Sequence, residues 1–66
     1  MKLKIDEQSD ALYLRLNEDA IVESEEVQPG VILDFDEQGR VVGVELLNVK
    51  ERAAGASLRM VTVETV

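Results

Sequence analysis

Apolar and polar residues alternate along most of the chain, with the period of two expected of half-buried β-strands. The clearest case is ALYLRL at residues 11–16, where leucine recurs at every second position. VILDFD at 31–36 and RVVGVELL at 40–47 form the strongest pair of such segments, joined by a turn around Gly39. These segments are predicted to be strands, and the last two are predicted to form a hairpin.

Three further segments have weaker strand patterns. KLKI at 2–5 alternates lysine with aliphatic residues, and IVESEEV at 21–27 carries three glutamates. Charge of this kind suits an edge strand that must not pair with other chains. LRMVTVETV at 58–66 is rich in β-branched residues and is predicted to be the last strand, although its poor alternation does not define which face it buries.

The period changes after Leu47, where VKERAA at 49–54 has the composition of a short helix. Asn48 and Glu51 have the spacing of a capping box, and Gly55 suits the position after the helix. The sequence therefore predicts an α+β, mainly β fold in one domain covering residues 1–66. Its core is an antiparallel β-meander of five to six strands, with one short helix near residues 49–54.

Composition limits the function. The chain has 66 residues, 14 Asp and Glu against 7 Lys and Arg, a net charge of −7, and neither cysteine nor histidine. Disulfides and an ordinary zinc site are excluded. The negative charge disfavours nucleic acid and anionic membranes. It is explained by simple solubility or, as the alternative, by a basic protein partner. So small a core gains from association with a second copy, so a homodimer is expected. No export or membrane signal is visible, which predicts a cytoplasmic protein.

The stretch DFDEQGRVVGVE, residues 34–45, matches four positions of a calcium-binding EF-hand loop. Its fifth position is Gln38 rather than Asp or Asn, and strand patterns rather than helices flank it. We therefore expect no metal site here but a hairpin turn, in which Gly39 supplies a positive φ angle.

The hydrophobic pattern also suggests a register for this hairpin. A four-residue loop at 36–39 would place Leu33 opposite Val42 and Val31 opposite Val44. A slip of one residue would divide the large apolar side chains between the two faces.

The two faces of the predicted sheet differ in character. The core face, which the helix and last strand are expected to cover, carries Leu12, Leu14, Leu16, Val31, Leu33, Phe35, Val42, Val44 and Leu46. The opposite face is the candidate interaction face and carries Tyr13, Arg15, Ile32, Asp34, Val41, Gly43, Glu45 and Leu47. Aliphatic residues among carboxylates are unusual on a solvent-facing sheet and are typical of partner contacts.

Three interpretations of this candidate face remain open. In the first, Arg15 pairs with Asp34 or Glu45, and nothing binds. In the second, the face is a homodimer or partner interface. In the third, Asp34 and Glu45 act as an acid/base pair assisted by Tyr13. No nucleophile stands beside a base, and glycine-rich nucleotide motifs are absent from the sequence. We therefore predict no catalytic, cofactor-binding or metal-binding residues.

The pieces IDEQSDALYLRL and VQPGVILDFDEQGRVVGVELLN resemble a small bacterial family known as domain of unknown function 2283, over residues 3–49. The resemblance implies a compact, β-rich domain without an assigned activity, some of whose members neighbour small toxin-like proteins. It also implies that the characteristic positions of the family fall on Asp10, Tyr13, Asp34, Gly39, Gly43 and Glu45.

The most consistent functional hypothesis is a non-enzymatic interaction module that self-associates through the candidate face. The alternative is an acidic, antitoxin-like protein that neutralises a basic toxin. A carboxylate-based metal binder or enzyme is the third hypothesis.

Overall fold

The computed structural model describes residues 1–55 and 57–66. It consists of five β-strands and one short α-helix: β1 (Lys2–Asp6), β2 (Ala11–Arg15), β3 (Glu23–Gln28), β4 (Val31–Phe35), β5 (Val41–Leu46) and α1 (Val49–Arg52). Neighbouring strands run antiparallel in a single sheet. The predicted fold class, mainly β with one short helix, is confirmed. Within the two described ranges, no helix is long and apolar enough to cross a membrane.

The strand order is β1-β2-β5-β4-β3. Strands β1 and β2, and likewise β3, β4 and β5, follow one another as in a meander, but β2 lies beside β5 rather than β3. The predicted meander is therefore interrupted once. This order places the apolar strands β2, β4 and β5 inside the sheet. The lysine-bearing β1 and the glutamate-rich β3 lie at the edges, where charge discourages pairing with other chains. The predicted edge position of the glutamate-rich strand is confirmed.

One face of the sheet, here called the leucine face, carries two apolar rows that cross four strands. The registers of the paired strands place Leu3, Leu14, Val44 and Leu33 in one row, and Ile5, Leu12, Leu46 and Val31 in the next. Opposed aliphatic side chains stabilise neighbouring strands, so these rows hold the sheet together.

The prediction that the helix and a last strand cover this face is wrong. In the described part of the tail, residues 57–66 form no strand. The four-residue helix α1 lies against two turns: the Val49 amide donates to the Asp10 carbonyl at 3.1 Å, and the Arg52 guanidinium donates to the Pro29 carbonyl. Among the described residues, the buried apolar side chains are limited to Ala11, Val42, Val49 and Leu58, and of these Val42 is the most deeply buried. No helix or strand of the described chain therefore forms a second layer over the leucine face.

The β4–β5 hairpin has the predicted faces but a different register. Leu33 pairs with Val44 and Val31 with Leu46, two residues further along β5 than the four-residue loop required. A β-bulge follows, because Asp34 pairs with Gly43 whereas Phe35 pairs with Val41. Each side chain nevertheless stays on its predicted face of the sheet, because a shift of two residues preserves the alternation.

The turn of this hairpin is built by Asp36. Its carboxylate accepts the backbone amides of Gln38 and Arg40, each at 2.9 Å, and the Asp36 amide donates to the Arg40 carbonyl. The Arg40 amide, followed by that of Gln38, holds the pKa of the Asp36 carboxyl below its ordinary value, against the opposing effect of burial. Gly39 has φ 76°, as the turn requires.

The predicted capping box at α1 is also wrong. Asn48 lies in the left-handed region at φ 55° and makes no side-chain hydrogen bond to the helix. Instead the Asp10 carboxylate accepts the Lys50 amide at 3.1 Å, from the turn between β1 and β2. Asp10 is 40 residues away in sequence, so local spacing could not have identified it.

Candidate functional site

The structure brings together six of the eight residues of the predicted interaction face. Across the strands they form two rows, Tyr13–Glu45–Ile32 and Arg15–Gly43–Asp34. We call the face made by these six residues the polar face. Val41 is displaced from it, because the bulge pairs Val41 with Phe35. Leu47 lies beyond the end of β5, where its amide donates to the Gly30 carbonyl at 2.8 Å.

The centre of the polar face is the Asp34 carboxylate, which is only 8% exposed. The Tyr13 hydroxyl donates to one of its oxygens at 2.7 Å, and the Ser24 hydroxyl donates to the other at 2.6 Å. Tyr13 comes from β2, Asp34 from β4 and Ser24 from the edge strand β3. We call these three residues, together with Gly43 between them, the Asp34 cluster. The cluster connects four strands side by side.

Ser24 had not been identified from the sequence as part of this face. It lies in a segment dominated by glutamates with no base nearby, where a solvent-facing role explains a serine better than a catalytic one. The β3–β4 register places Ser24 on this face, because it pairs Ser24 directly with Asp34. That register is interrupted between Glu26 and Gln28, so alternation alone does not reveal it.

Gly43 provides the space in which the cluster forms. A Cβ atom placed on Gly43 would lie 2.7 Å from the Asp34 Oδ2 and 3.1 Å from the Tyr13 Cζ, and closer still to the Tyr13 hydroxyl oxygen. These separations are shorter than normal van der Waals contact. Glycine is required here because a neighbouring side chain passes over the backbone, as is typical of glycine inside a strand.

The electrostatics of the cluster keep Tyr13 in its neutral form. The hydrogen bond to Asp34 raises the pKa of the Tyr13 phenol, while the Arg15 guanidinium, 3.5 Å from the hydroxyl oxygen, opposes this shift. A phenol that donates to a carboxylate cannot lose its proton without placing two negative charges side by side. The arrangement therefore favours a fixed hydrogen bond over proton transfer by Tyr13.

Arg15 does not form the ion pair with Asp34 or Glu45 that the first interpretation of the candidate face requires. Its guanidinium donates to the Asn17 carbonyl at 2.6 Å and to the Asp19 carbonyl. These hydrogen bonds fix the conformation of the loop that follows β2. Within the described residues, the ion pairs involve Arg40 and Arg59 instead.

The carboxylates of the apparent calcium loop are dispersed. Asp34 belongs to the Asp34 cluster, Asp36 builds the hairpin turn, and Glu45 pairs with Ile32. In the described portion of the chain, no group of three or more histidine, cysteine or acidic residues is placed to hold a metal ion.

The leucine face is the apolar surface on the other side of the sheet. Its outer residues Leu3 and Ile5, on the edge strand β1, are 43% and 42% exposed. Its inner residues on β2, β4 and β5 are only half-buried. A mostly aliphatic sheet face of this kind is suited to another sheet rather than to a small polar ligand.

The chain thus forms a small single-sheet β protein with one polar face, whose hydrogen bonds are internal, and one open apolar face. Residues 2–50 match the family described as "Protein of unknown function (DUF2283)", and the chain belongs to this family. The match includes the Asp34 cluster and Asp10. No curated protein and no solved structure matches the chain.

Proposed function

We propose that this protein is a non-enzymatic interaction module that self-associates, and that two copies pack their leucine faces together as a β-sandwich. The observation that carries the proposal is the area left exposed by one copy. Its accessible surface is 5119 Å² for a mass of 7.3 kDa. A folded monomer of that mass is expected to expose about 4,200 Å².

The excess is about 900 Å² per copy, close to the roughly 800 Å² that each partner buries in a standard protein interface. It comprises the exposed segment 60–66 as well as the leucine face. The radius of gyration leads to the same conclusion. It is 12.8 Å, whereas a compact domain of this length is expected to have about 11 Å. A second layer is the usual way in which a one-sided sheet buries its apolar residues.

The leucine face fits this role better than the polar face that the sequence favoured. On the polar face, the Asp34 carboxylate accepts hydrogen bonds at both oxygens from Tyr13 and Ser24. Packing a partner there would remove several polar and charged groups from water. The leucine face instead presents two uninterrupted aliphatic rows that match a second copy of themselves, as a symmetric dimer requires.

Mass-resolved light scattering tests the proposal. We expect the chain to have twice the mass of one copy, and Leu14→Lys, in the middle of an apolar row, to reduce the mass to that of a monomer. Ile32→Lys on the polar face is the matched control and should remain dimeric. If Leu14→Lys fails to fold, Leu3→Lys at the exposed end of the same row provides the second variant. A folded wild-type monomer at high concentration would overturn the proposal.

A second candidate function is binding of a basic protein, as expected of an antitoxin-like protein. The observation in its favour is the glutamate-rich strand β3, which is exposed along its full length at a sheet edge. Charge complementarity would accelerate encounter with a cationic partner. Substitution of Glu23, Glu25 and Glu26 by glutamine should then weaken capture of a basic partner from the native host while dimerisation persists. Equal capture by the glutamine variant would exclude this edge.

A further inference from the structure

The outer edge of β1 lacks a partner strand among the residues that the structure describes. β1 pairs with β2 on one side only, and all five of its residues are exposed. An open edge presents unpaired backbone amides and carbonyls, which readily accept an additional strand. Its side chains alternate regularly: Leu3 and Ile5 belong to the leucine face, and Lys2 and Lys4 lie on the opposite side.

The segment 60–66 is exposed throughout, although Val61, at 42%, is less exposed than Met60 and Val63. Met60 is 82% and Val63 81% exposed. The segment begins beside the far end of β1, where the Arg59 guanidinium pairs with the Glu7 carboxylate at 2.8 Å and Leu58 is buried. Its sequence MVTVETV favours extended structure. It nevertheless forms no strand within its own copy.

Building on the proposed self-association, we propose that residues 60–66 of one copy add as an antiparallel sixth strand to the β1 edge of a second copy. One alignment matches both sides of the edge. Val61 lies opposite Ile5 and Val63 opposite Leu3, which extends both apolar rows of the leucine face by one strand. On the other side Thr62 lies opposite Lys4 and Glu64 opposite Lys2. A slip of one residue would place the valines among the lysines.

Charge selects β1 over the other open edge. Glu64 faces lysine at β1, whereas at β3 it would meet the exposed carboxylates of Glu23, Glu25 and Glu26. Like charges placed directly opposite destabilise a strand pair, and opposite charges stabilise it. The irregular register of β3 near Val27 also interrupts the straight edge that an added strand needs.

Disulfide cross-linking tests this arrangement. The chain contains no cysteine of its own, so every cross-link must involve the introduced residues. In the variant with both Lys4→Cys and Thr62→Cys, oxidation should produce covalent dimers, because opposed residues in antiparallel strands lie within disulfide range. When the two single variants are mixed, refolded together and oxidised, one chain of each kind should be joined. The control variant, with Glu25→Cys and Thr62→Cys, should remain uncoupled.

Charge exchange provides a second readout. Lys2→Glu should reduce cross-linking in the Lys4→Cys, Thr62→Cys background, and adding Glu64→Lys should restore it. A double-cysteine variant that closes only within one chain would overturn the proposal, since the segment would then pair with its own β1.

The outcomes separate this inference from the proposed function. A light-scattering dimer without any cross-link would reject the added strand but retain the sandwich. A folded monomer would reject both.

Discussion

Gly43 is the residue on which the polar face depends most directly. Tyr13 and Asp34 approach each other over its backbone, and any side chain would occupy that space. The cluster therefore combines a steric requirement at Gly43 with two hydrogen bonds to one buried carboxylate. Hydrogen bonds to a charged group contribute more than neutral ones, roughly 1.5–3 kcal/mol each. At this scale, the cluster acts as a structural clamp between strands.

Gly43→Ala should lower the free energy of unfolding by about 1–3 kcal/mol, the usual cost of inserting a methyl group into a packed site. Urea denaturation measures the change. In a Tyr13→Phe background the same substitution should cost less, because the hydroxyl that the methyl group meets is gone. An equal cost in both backgrounds would show that Gly43 matters for another reason.

The titration of Tyr13 gives a second prediction at the residue scale. The phenol pKa should lie above its ordinary value of 10.0, mainly because of the hydrogen bond to Asp34. The stability that this bond provides is then fully present below pH 10.0 and is lost as the pH rises through the pKa of the folded state.

Ultraviolet absorbance can follow this phenol directly, since the chain has one tyrosine and no tryptophan. Asp34→Asn should move the midpoint downward. A wild-type midpoint at or below 10.0 would contradict the geometry.

At the scale of elements, the short pieces of structure are stabilised by side chains that lie elsewhere in the chain. Asp10, in the β1–β2 turn, caps helix α1 through the Lys50 amide, and Arg52 returns from α1 to the Pro29 carbonyl. A four-residue helix is unstable alone. These contacts explain why so short a helix forms at this position, directly after β5.

Asp10→Ala should reduce the free energy of unfolding by roughly 0.5–2 kcal/mol, the usual cost of losing a helix N-cap. Asp10 has φ 54°, and alanine tolerates that conformation poorly, so the loss should fall at the upper end. Asp10→Asn is the matched control: asparagine can accept the same hydrogen bond and adopt the same φ angle. Urea midpoints of the two variants that coincide would exclude the capping role.

The elements were predictable to the extent that alternation determines them. Period-two patterns located β1, β2, β4 and β5, each of which has one face richer in apolar residues than the other. The weaker, glutamate-rich pattern at 21–27 located β3. The hairpin register was wrong by two residues, since a shift of two leaves every side chain on its predicted face. The last strand was wrong because β-branched composition indicates an extended chain but does not supply a partner. The cap of α1 and the role of Ser24 depend on contacts between distant segments, which a local pattern cannot reveal.

At the scale of the whole molecule, the sheet is a single layer. Its apolar rows cross from β1 to β4, and no helix or strand of the described chain is layered over them. A small domain of this length gains little burial on its own. The proposed association is therefore expected to add to stability, and the measured free energy of folding should include that of the proposed dimer.

The melting temperature should consequently rise with protein concentration, as mass action requires when folding and association are coupled. Circular dichroism over a hundredfold concentration range would measure it. Ile32→Lys should retain the dependence, whereas Leu14→Lys should melt lower and at a temperature independent of concentration. A wild-type melting temperature that stays constant over this range would argue for a self-sufficient monomer.

The strand order has a consequence for how the chain folds. The β1–β2 hairpin and the β3–β4–β5 meander each contain only contacts between neighbours in sequence, whereas the β2–β5 pairing joins segments about thirty residues apart. Closing that larger loop costs more chain entropy than closing either hairpin. The β1–β2 hairpin and the β3–β4–β5 meander should therefore form early, and the pairing of β2 with β5 should form late. If the chain is cut between β2 and β3, the two fragments should still reassemble by pairing β2 with β5.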